Sequence, residues 1–213
     1  WRFEIKAEGL AKVEAAHWQR IDLADLSDHE ERYWAPDYTG TGAPCTETLE
    51  DAARRVHALI DAAVARQMRS DVPVGAYLSG GMDSSLVCAL AAPRADGALH
   101  AFTGAFREGP AFDESAHATA VARHVGAHLH LSWIGEAQWI DALPRLAWAM
   151  DEPAAGPGLF PQFVVSSAAR ETVKVCLGGQ GGDEIFGGYA RHLIGAFEEA
   201  MLSAMRGQRT APG

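Results

Sequence analysis

Two glycine-rich segments each follow a short apolar run and precede a stretch with helical spacing. The first, Ser79–Ser85, comes directly after Val74–Leu78, and the second, Gly178–Tyr189, comes after Thr172–Leu177. Glycine-rich turns between a buried strand and a helix are typical of βαβ units. The sequence therefore predicts an α/β fold in which a parallel sheet carries helices on both faces.

The remainder of the chain from Thr46 onward keeps this alternation. A helix with one apolar face is predicted from Thr46 to about Ser70, and the Thr48–Asp51 pair at its start resembles an acidic capping box. Further strands are predicted at Leu99–Phe106 and His128–Trp133. Other helices are predicted at Ser84–Ala92, Glu114–His124, Glu136–Met150 with a restart at Pro144, and Phe160–Arg170.

Residues 1–44 differ from the rest of the chain. Strand-like stretches around Trp1–Ala7 and His17–Leu23 lead into a polar, turn-rich segment with too little apolar material for a core of its own. We expect residues 1–44 to form an ordered strap or linker and residues 45–213 to form the main domain.

The net charge of −10 argues against a nucleic-acid-binding surface, which needs clustered lysine and arginine. Lysine occurs only at positions 6, 12 and 174, so a phosphate site here is not expected to depend on lysine. No apolar run approaches the roughly 20 residues of a membrane span, and the polar start is unlike a signal peptide. We therefore expect no membrane partner and a cytoplasmic location.

The first glycine-rich segment has the composition of an anion cradle. Ser79, Gly80 and Gly81 can present backbone N–H groups, the helix after them adds its positive end, and the hydroxyls of Ser79, Ser84 and Ser85 can add hydrogen bonds. A carboxylate in such a cradle, here Asp83, would repel phosphate unless a cation lies between them, which indicates Mg²⁺. The lysine-containing phosphate loop is absent, and the alternative is a plain glycine turn that opens a helix.

The second segment places four glycines among the five residues 178–182, which allows close approach of the backbone to a ligand. Asp183 follows them at the entry to a helix. It is a candidate second carboxylate for Mg²⁺, and its alternative role is an N-cap for that helix.

SGGMDSS together with LGGQGGDEIFGGY resembles the synthetase domain of glutamine-dependent asparagine synthetases, in the ATP-pyrophosphatase superfamily. The resemblance spans roughly Tyr33 to His192 and implies an adenine-nucleotide alpha-hydrolase-like fold. It also includes the short motifs Glu31–Trp34, Phe112–Glu114 and Asp151–Pro153.

The resemblance implies an activity: ATP adenylates the side-chain carboxylate of aspartate with release of pyrophosphate, and ammonia then displaces AMP to form the amide. It also implies residue roles. Ser79, Gly81, Asp83 and Ser84 would hold pyrophosphate, Asp83 and Asp183 would bind Mg²⁺, backbone groups at Leu78 and Gly104 would meet the nucleoside, and Gly179 would lie beside the acyl-adenylate.

Three departures from the family pattern qualify this expectation. Gln180 stands at a candidate catalytic position where the family usually has glutamate or aspartate, and an amide can orient a substrate but cannot accept a proton. We expect the glutaminase domain of the family to lie outside this chain, so that ammonia would come from there. The chain also ends at Gly213, before the region where the family keeps further catalytic groups, including a lysine.

Alternative functions stay open. One is activation of a different carboxylate by a lactam-forming or peptide-modifying relative, which Gln180 favours. Another is a degenerate ATP-binding domain without catalysis. The second motif disfavours a nucleotide-thiolating or GMP-forming enzyme, and a homodimer is left open as an assembly.

Several other residues are interpreted as structural. We expect His124, His128 and His130 to be surface or core residues, because no carboxylate or cysteine completes a metal-ligand set. Cys88 and Cys176 lie in apolar runs and are expected to be buried, whereas no pattern surrounds Cys45. Three tryptophans are expected in the core: Trp133, Trp139 and Trp148.

Overall fold

A computed structural model of the chain describes residues 12–35, 46–107, 109, 113–151, 156 and 158–206. The chain divides into two compact units, Trp1–Arg54 with Leu143–Ala155, and Arg55–Ala142 with Gly156–Gly213. Some predictions fall outside the described residues: the strand around Trp1–Ala7, Cys45, Phe112 and the pair Glu152–Pro153.

The first unit contains an antiparallel hairpin of β1 (His17–Ile21) and β2 (Asp28–Arg32). The Asp22 N–H donates to the Ser27 carbonyl at 2.9 Å and closes the turn between them. Strand β1 confirms the strand predicted around His17–Leu23. Strand β2 was not predicted, because its five residues are all polar and exposed and show no alternation with apolar ones.

The second unit contains a parallel sheet of four strands in the order β5-β4-β3-β6, which confirms the predicted fold class. Strands β4 and β5 lie on one side of β3 and β6 lies on the other, so β3 and β6 flank the point where the strand order reverses. Open α/β sheets bind ligands beyond the carboxyl ends of strands at such a point. The strands are β3 (Val74–Tyr77), β4 (His100–Phe106), β5 (His128–Ile134) and β6 (Val175–Leu177).

The helices largely follow the predictions. They are α1 (Leu49–Gln67), α2 (Met82–Ala91), α3 (Ser115–Val125), α4 (Glu136–Met150), α5 (Leu159–Ala169), α6 (Gly182–Phe186) and α7 (Ala190–Met205). The Thr48 hydroxyl oxygen accepts a hydrogen bond from the Asp51 N–H at 3.1 Å, which confirms the predicted cap of α1. The restart predicted at Pro144 is wrong: proline removes a single N–H donor, and α4 continues through it. Helix α7 was not predicted.

Two apolar clusters cover the two faces of the sheet. One joins side chains of α1, α2 and α3 to Leu78 and Ala101, and the other packs Phe102 against Val165 and Ala169 of α5. Cys88 is buried in the first cluster as predicted, and burial raises the pKa of its thiol to about 11. Cys176 is only half-buried.

The prediction that three tryptophans lie in the core is wrong. Trp133 is 48% exposed, Trp139 is 37% exposed and Trp148 is 84% exposed. Trp133 lies on β5, an edge strand that has a neighbour on one side only, and the Arg107 guanidinium carbon lies 5.1 Å from the centroid of its ring. Trp139 packs edge-on against Phe160, with ring centroids 5.0 Å apart. Aromatic character alone therefore did not indicate burial in this chain.

Histidines of β4 and β5 form a cluster that the sequence only partly indicated. His128 and His130 share a face of β5, and His100 of β4 joins them through a 2.8 Å contact between His100 Nδ1 and His130 Nε2. Burial, with the charges of His128 and His100, lowers the pKa of His130 below its ordinary value of 6.5. Among the described residues, no group of three or more histidine, cysteine, aspartate or glutamate side chains that could hold a metal ion is found.

The lowered pKa of His130 predicts a loss of stability in mild acid. The unfolded chain binds the proton more readily than the folded one, so this contribution is fully present above pH 6.5 and is lost as the pH falls below it. We expect the melting temperature of the wild type to fall more between pH 7.5 and pH 5.5 than that of His130→Asn. His57→Asn, at an exposed position of α1, is the matched control, and equal pH slopes for all three proteins would contradict the prediction.

Candidate active site

The first glycine-rich loop joins the end of β3 to the start of α2 and is braced from within by Ser84. This side chain is buried, and its hydroxyl accepts from the Ser79 N–H at 3.2 Å and donates to the Gly81 carbonyl at 3.1 Å. The Ser85 hydroxyl donates to the same carbonyl at 2.7 Å. These two hydroxyls therefore hold the shape of the loop. Two of the three backbone donors predicted for an anion are used within the loop instead: the Ser79 N–H donates to Ser84 Oγ and the Gly81 N–H donates to Ser79 Oγ, each at 3.2 Å. No side-chain hydrogen bond from the described residues caps α2, so the N–H groups of its first turn can still meet an anion.

Gly80 fixes the position of this loop over the start of α3. Its φ of +93° favours glycine, and a Cβ there would lie 2.8 Å from His117 Cβ and 2.9 Å from the Ala118 backbone nitrogen. A larger residue would therefore push the loop away from α3.

The second glycine-rich loop packs directly against the first. Strands β3 and β6 pair in parallel with Ala76 opposite Leu177, so the two loops leave the sheet side by side. A Cβ on Gly179 would lie 2.8 Å from the Ser84 nitrogen and 2.9 Å from the Asp83 carbonyl carbon. Gly182 lies against the Asp83 carboxylate so closely that a Cβ would collide with it. Glycine at 179 is therefore needed for the backbone contact between the loops, and glycine at 182 leaves room for the Asp83 carboxylate.

Asp83 and Asp183, the two predicted metal ligands, line one cavity of about 690 Å³, and Gln180 lines it as well. Glu184 adds a third carboxylate, and no lysine or arginine is found among the described residues of the lining. An anionic ligand would be repelled here unless a cation came with it.

The donor set of this cavity fits Mg²⁺ bound together with a phosphate ligand. No group of three or more histidine, cysteine, aspartate or glutamate side chains in the described part of the chain could hold a metal by itself. Mg²⁺ usually takes one or two carboxylates and completes its octahedron with phosphate oxygens and water. Asp83 and Asp183 would supply the carboxylates.

The alternative role of Asp183 as an N-cap is not what the structure shows. Helix α6 begins at Gly182 after Gly181, whose φ of +94° serves the turn, and no side-chain hydrogen bond from the described residues caps it. The Asp183 carboxylate instead lies against Gly188, where a Cβ would collide with it.

Tyr189 and Glu184 form a polar pair on the same cavity that sequence reasoning missed. The Tyr189 hydroxyl donates to Glu184 Oε1 at 2.7 Å, which lowers the pKa of Glu184 and raises the pKa of Tyr189. The Arg191 guanidinium carbon lies 4.0 Å from the centroid of the Tyr189 ring. The FGGY end of the second motif was the available signal, although it carried no assigned role.

A smaller cavity of about 260 Å³ adjoins the first loop, and Leu78 and Gly104, the two predicted nucleoside contacts, both line it. The Leu78 N–H donates to the Phe102 carbonyl at 2.9 Å, so only the Leu78 carbonyl could meet a nucleoside. Phe102, Phe106 and Val165 give the cavity an apolar lining of the kind that suits a planar base. Tyr77, Ser79 and Gln162 line both cavities.

Comparison with known proteins identifies relatives over most of the chain. The family described as asparagine synthase matches residues 55–212. A Mycobacterium tuberculosis protein, provisionally named a glutamine-hydrolysing asparagine synthetase, is 39% identical over 187 residues, which cover 87% of this chain and 28% of that protein. Bacillus subtilis asparagine synthetase 1, also named as glutamine-hydrolysing, is 37% identical over 67% of this chain and 22% of its own length.

A more distant relative bears a different name. Amidase chry2 of Gibberella zeae is 26% identical over 89% of this chain and 30% of its own length. The chain thus spans between 22% and 30% of the length of these three relatives. Among the described residues, no helix has the length and apolar character that crossing a bilayer requires.

Proposed function

The chain belongs to the asparagine synthase family, and we propose that it is the ATP-dependent, amide-forming ligase domain of that family. In the proposed reaction a carboxylate attacks the α-phosphorus of ATP and releases pyrophosphate. The first candidate for this carboxylate is the side chain of aspartate. Ammonia from a glutaminase domain outside this chain then attacks the acyl-adenylate, and AMP leaves as the amide forms.

One observation supports this proposal above the others. The two glycine-rich loops lie against each other beside the reversal in strand order, with Asp83 and Asp183 lining one cavity that adjoins an apolar one. This arrangement would give an adenine base and a triphosphate separate places on one surface, which supports the proposal. A simple glycine turn would not require a second acidic loop packed against it.

The residues divide the proposed work between them. Backbone N–H groups at the start of α2 would bind the phosphates that leave as pyrophosphate, and Ser84 would hold the loop in shape for them. Asp83 and Asp183 would hold Mg²⁺, which when bound neutralises negative charge on the phosphates. Gly179 would lie beside the acyl-adenylate and would keep the second loop packed against the first turn of α2, where a Cβ would meet the Ser84 nitrogen.

Gln180 favours a second candidate within the same chemistry, the activation of a carboxylate other than aspartate. Its side chain folds back over its own loop so that its amide oxygen lies against Gly178. An amide in this position can orient an incoming substrate, but it cannot accept a proton from ammonia. Gln180 therefore leaves proton transfer to another group.

Exchange of labelled pyrophosphate into ATP, measured with the purified protein and Mg²⁺, tests the proposal. We expect exchange that depends on aspartate, since reversal of adenylation requires the carboxylate substrate. Exchange with a different acid only would move the assignment to the second candidate. ATP binding without exchange for any acid would contradict the enzymatic proposal and favour a non-catalytic nucleotide-binding domain.

A further inference from the structure

Gln162 lies where the two cavities meet. This residue lines both of them, as do Tyr77 and Ser79 at the carboxyl end of β3. If the base occupies the apolar cavity and the triphosphate occupies the cavity of the glycine loops, the sugar that joins them must cross this junction. A role for Gln162 at the sugar rests on that placement of ATP, which belongs to the proposed function.

A hydrogen-bonded chain fixes the amide of Gln162. Its Nε2 donates to Ser166 Oγ at 3.1 Å, one turn further along α5. Ser166 Oγ lies 2.8 Å from the hydroxyl of Tyr77, which belongs to β3. Ser166 thereby links the amide of the exposed residue Gln162 to the central sheet, and Ser166 and Tyr77 are 89 positions apart in the sequence. Such a tie reduces the rotamer freedom that would be lost on binding a ligand.

This arrangement also determines which atoms of Gln162 remain for a ligand. One N–H is used by Ser166, and the described residues provide no hydrogen-bond donor to the carbonyl oxygen Oε1. A carbonyl oxygen accepts hydrogen bonds but cannot donate them, so it would repel a phosphate oxygen. A sugar hydroxyl can donate to it, and can accept from the second N–H of the amide.

We propose that Gln162 recognises a ribose hydroxyl of ATP, and that Ser166 and Tyr77 are positioning residues that orient its amide. Gln162 thereby selects ribonucleotides over deoxynucleotides. The selection acts on nucleotide binding and is independent of which carboxylate the enzyme activates.

The test compares Mg²⁺-dependent binding of ATP, 2′-deoxyATP and 3′-deoxyATP to the wild type and to Gln162→Met, by calorimetry. A single neutral hydrogen bond predicts that the wild type prefers ATP to one of the deoxynucleotides by about five- to tenfold. Gln162→Met keeps the length of the side chain but removes the amide. This variant should bind ATP and the discriminated deoxynucleotide about equally, because its affinity for ATP falls while its affinity for the deoxynucleotide stays unchanged. Gln67→Met, at an exposed helix position outside both cavities, should keep the wild-type preference.

The positioning role has its own readout. Ser166→Ala and Tyr77→Phe should each reduce the preference for the ribose hydroxyl, whereas Ser166→Thr, which keeps a hydroxyl, should restore most of it. A merely structural role would lower the melting temperature without changing the ratio of the nucleotide affinities.

The outcomes separate the role of Gln162 from the proposed function. Failure of the wild type to bind ATP would overturn both. ATP binding with an unchanged preference in Gln162→Met, or with all three nucleotides weakened equally, would overturn the role of Gln162 alone and leave the proposed function standing.

Discussion

Replacing Asp83 with asparagine is expected to abolish the Mg²⁺-dependent binding of ATP. Asparagine keeps the shape of the side chain, so the braced loop should survive, but it removes one of the two carboxylates proposed to face the cation. We expect the affinity measured with Mg²⁺ to fall by at least about 100-fold, equivalent to about 3 kcal/mol. Calorimetric titration with ATP, with and without Mg²⁺, measures the effect directly.

Asp141→Asn is the matched control, since Asp141 is exposed on α4 and lies outside both cavities. It should bind ATP with wild-type affinity and should show the same dependence on Mg²⁺. Unchanged affinity in Asp83→Asn would mean that the first loop does not bind a metal-nucleotide complex. The anion-cradle interpretation of Ser79–Ser85 would then be wrong.

Local patterns predicted the elements that bury one face. The apolar runs of β3 and β4 and the apolar spacing of α1 placed these elements to within a few residues, because burial of a face leaves a period in the sequence. The β2 strand has no such period, because it is exposed and is formed by pairing with β1. Helix α7 was overlooked although its apolar residues, such as Leu193 and Phe197, recur at helical spacing.

The site was predictable in its backbone and less so in its side chains. Asp83 and Asp183 could be placed near each other at the carboxyl ends of the strands, because parallel strands all end on the same side of the sheet. The contact among Gln162, Ser166 and Tyr77 could not be predicted. It joins α5 to β3, which are far apart in sequence, and such a contact leaves no local motif. The Ser84 hydroxyl, expected to bind phosphate, also braces the loop, a contact that the sequence did not reveal because it depends on the burial of this side chain.

Gly179→Ala is expected to damage folding and ATP binding together. Its Cβ would lie 2.8 Å from the Ser84 nitrogen and 2.9 Å from the Asp83 carbonyl carbon, and backbone atoms cannot rotate aside as a side chain can. The second loop would have to move away from α2. Overpacking of this kind costs about 1–3 kcal/mol in the free energy of unfolding. Chemical denaturation and ATP titration of the same preparation measure both effects.

Two further glycines show whether the contact between the loops is responsible. The three described atoms nearest to a Cβ on Gly182 all belong to the Asp83 carboxylate, which can swing away, so Gly182→Ala should retain most of its folding stability while losing Mg²⁺-dependent ATP binding. A Cβ on Gly135 would meet no atom of the described residues within 4 Å, so Gly135→Ala should match the wild type in both measurements. If Gly179→Ala behaved like Gly135→Ala, the two loops could not be packed together as described, and the shared cavity of Asp83 and Asp183 would lose its structural basis.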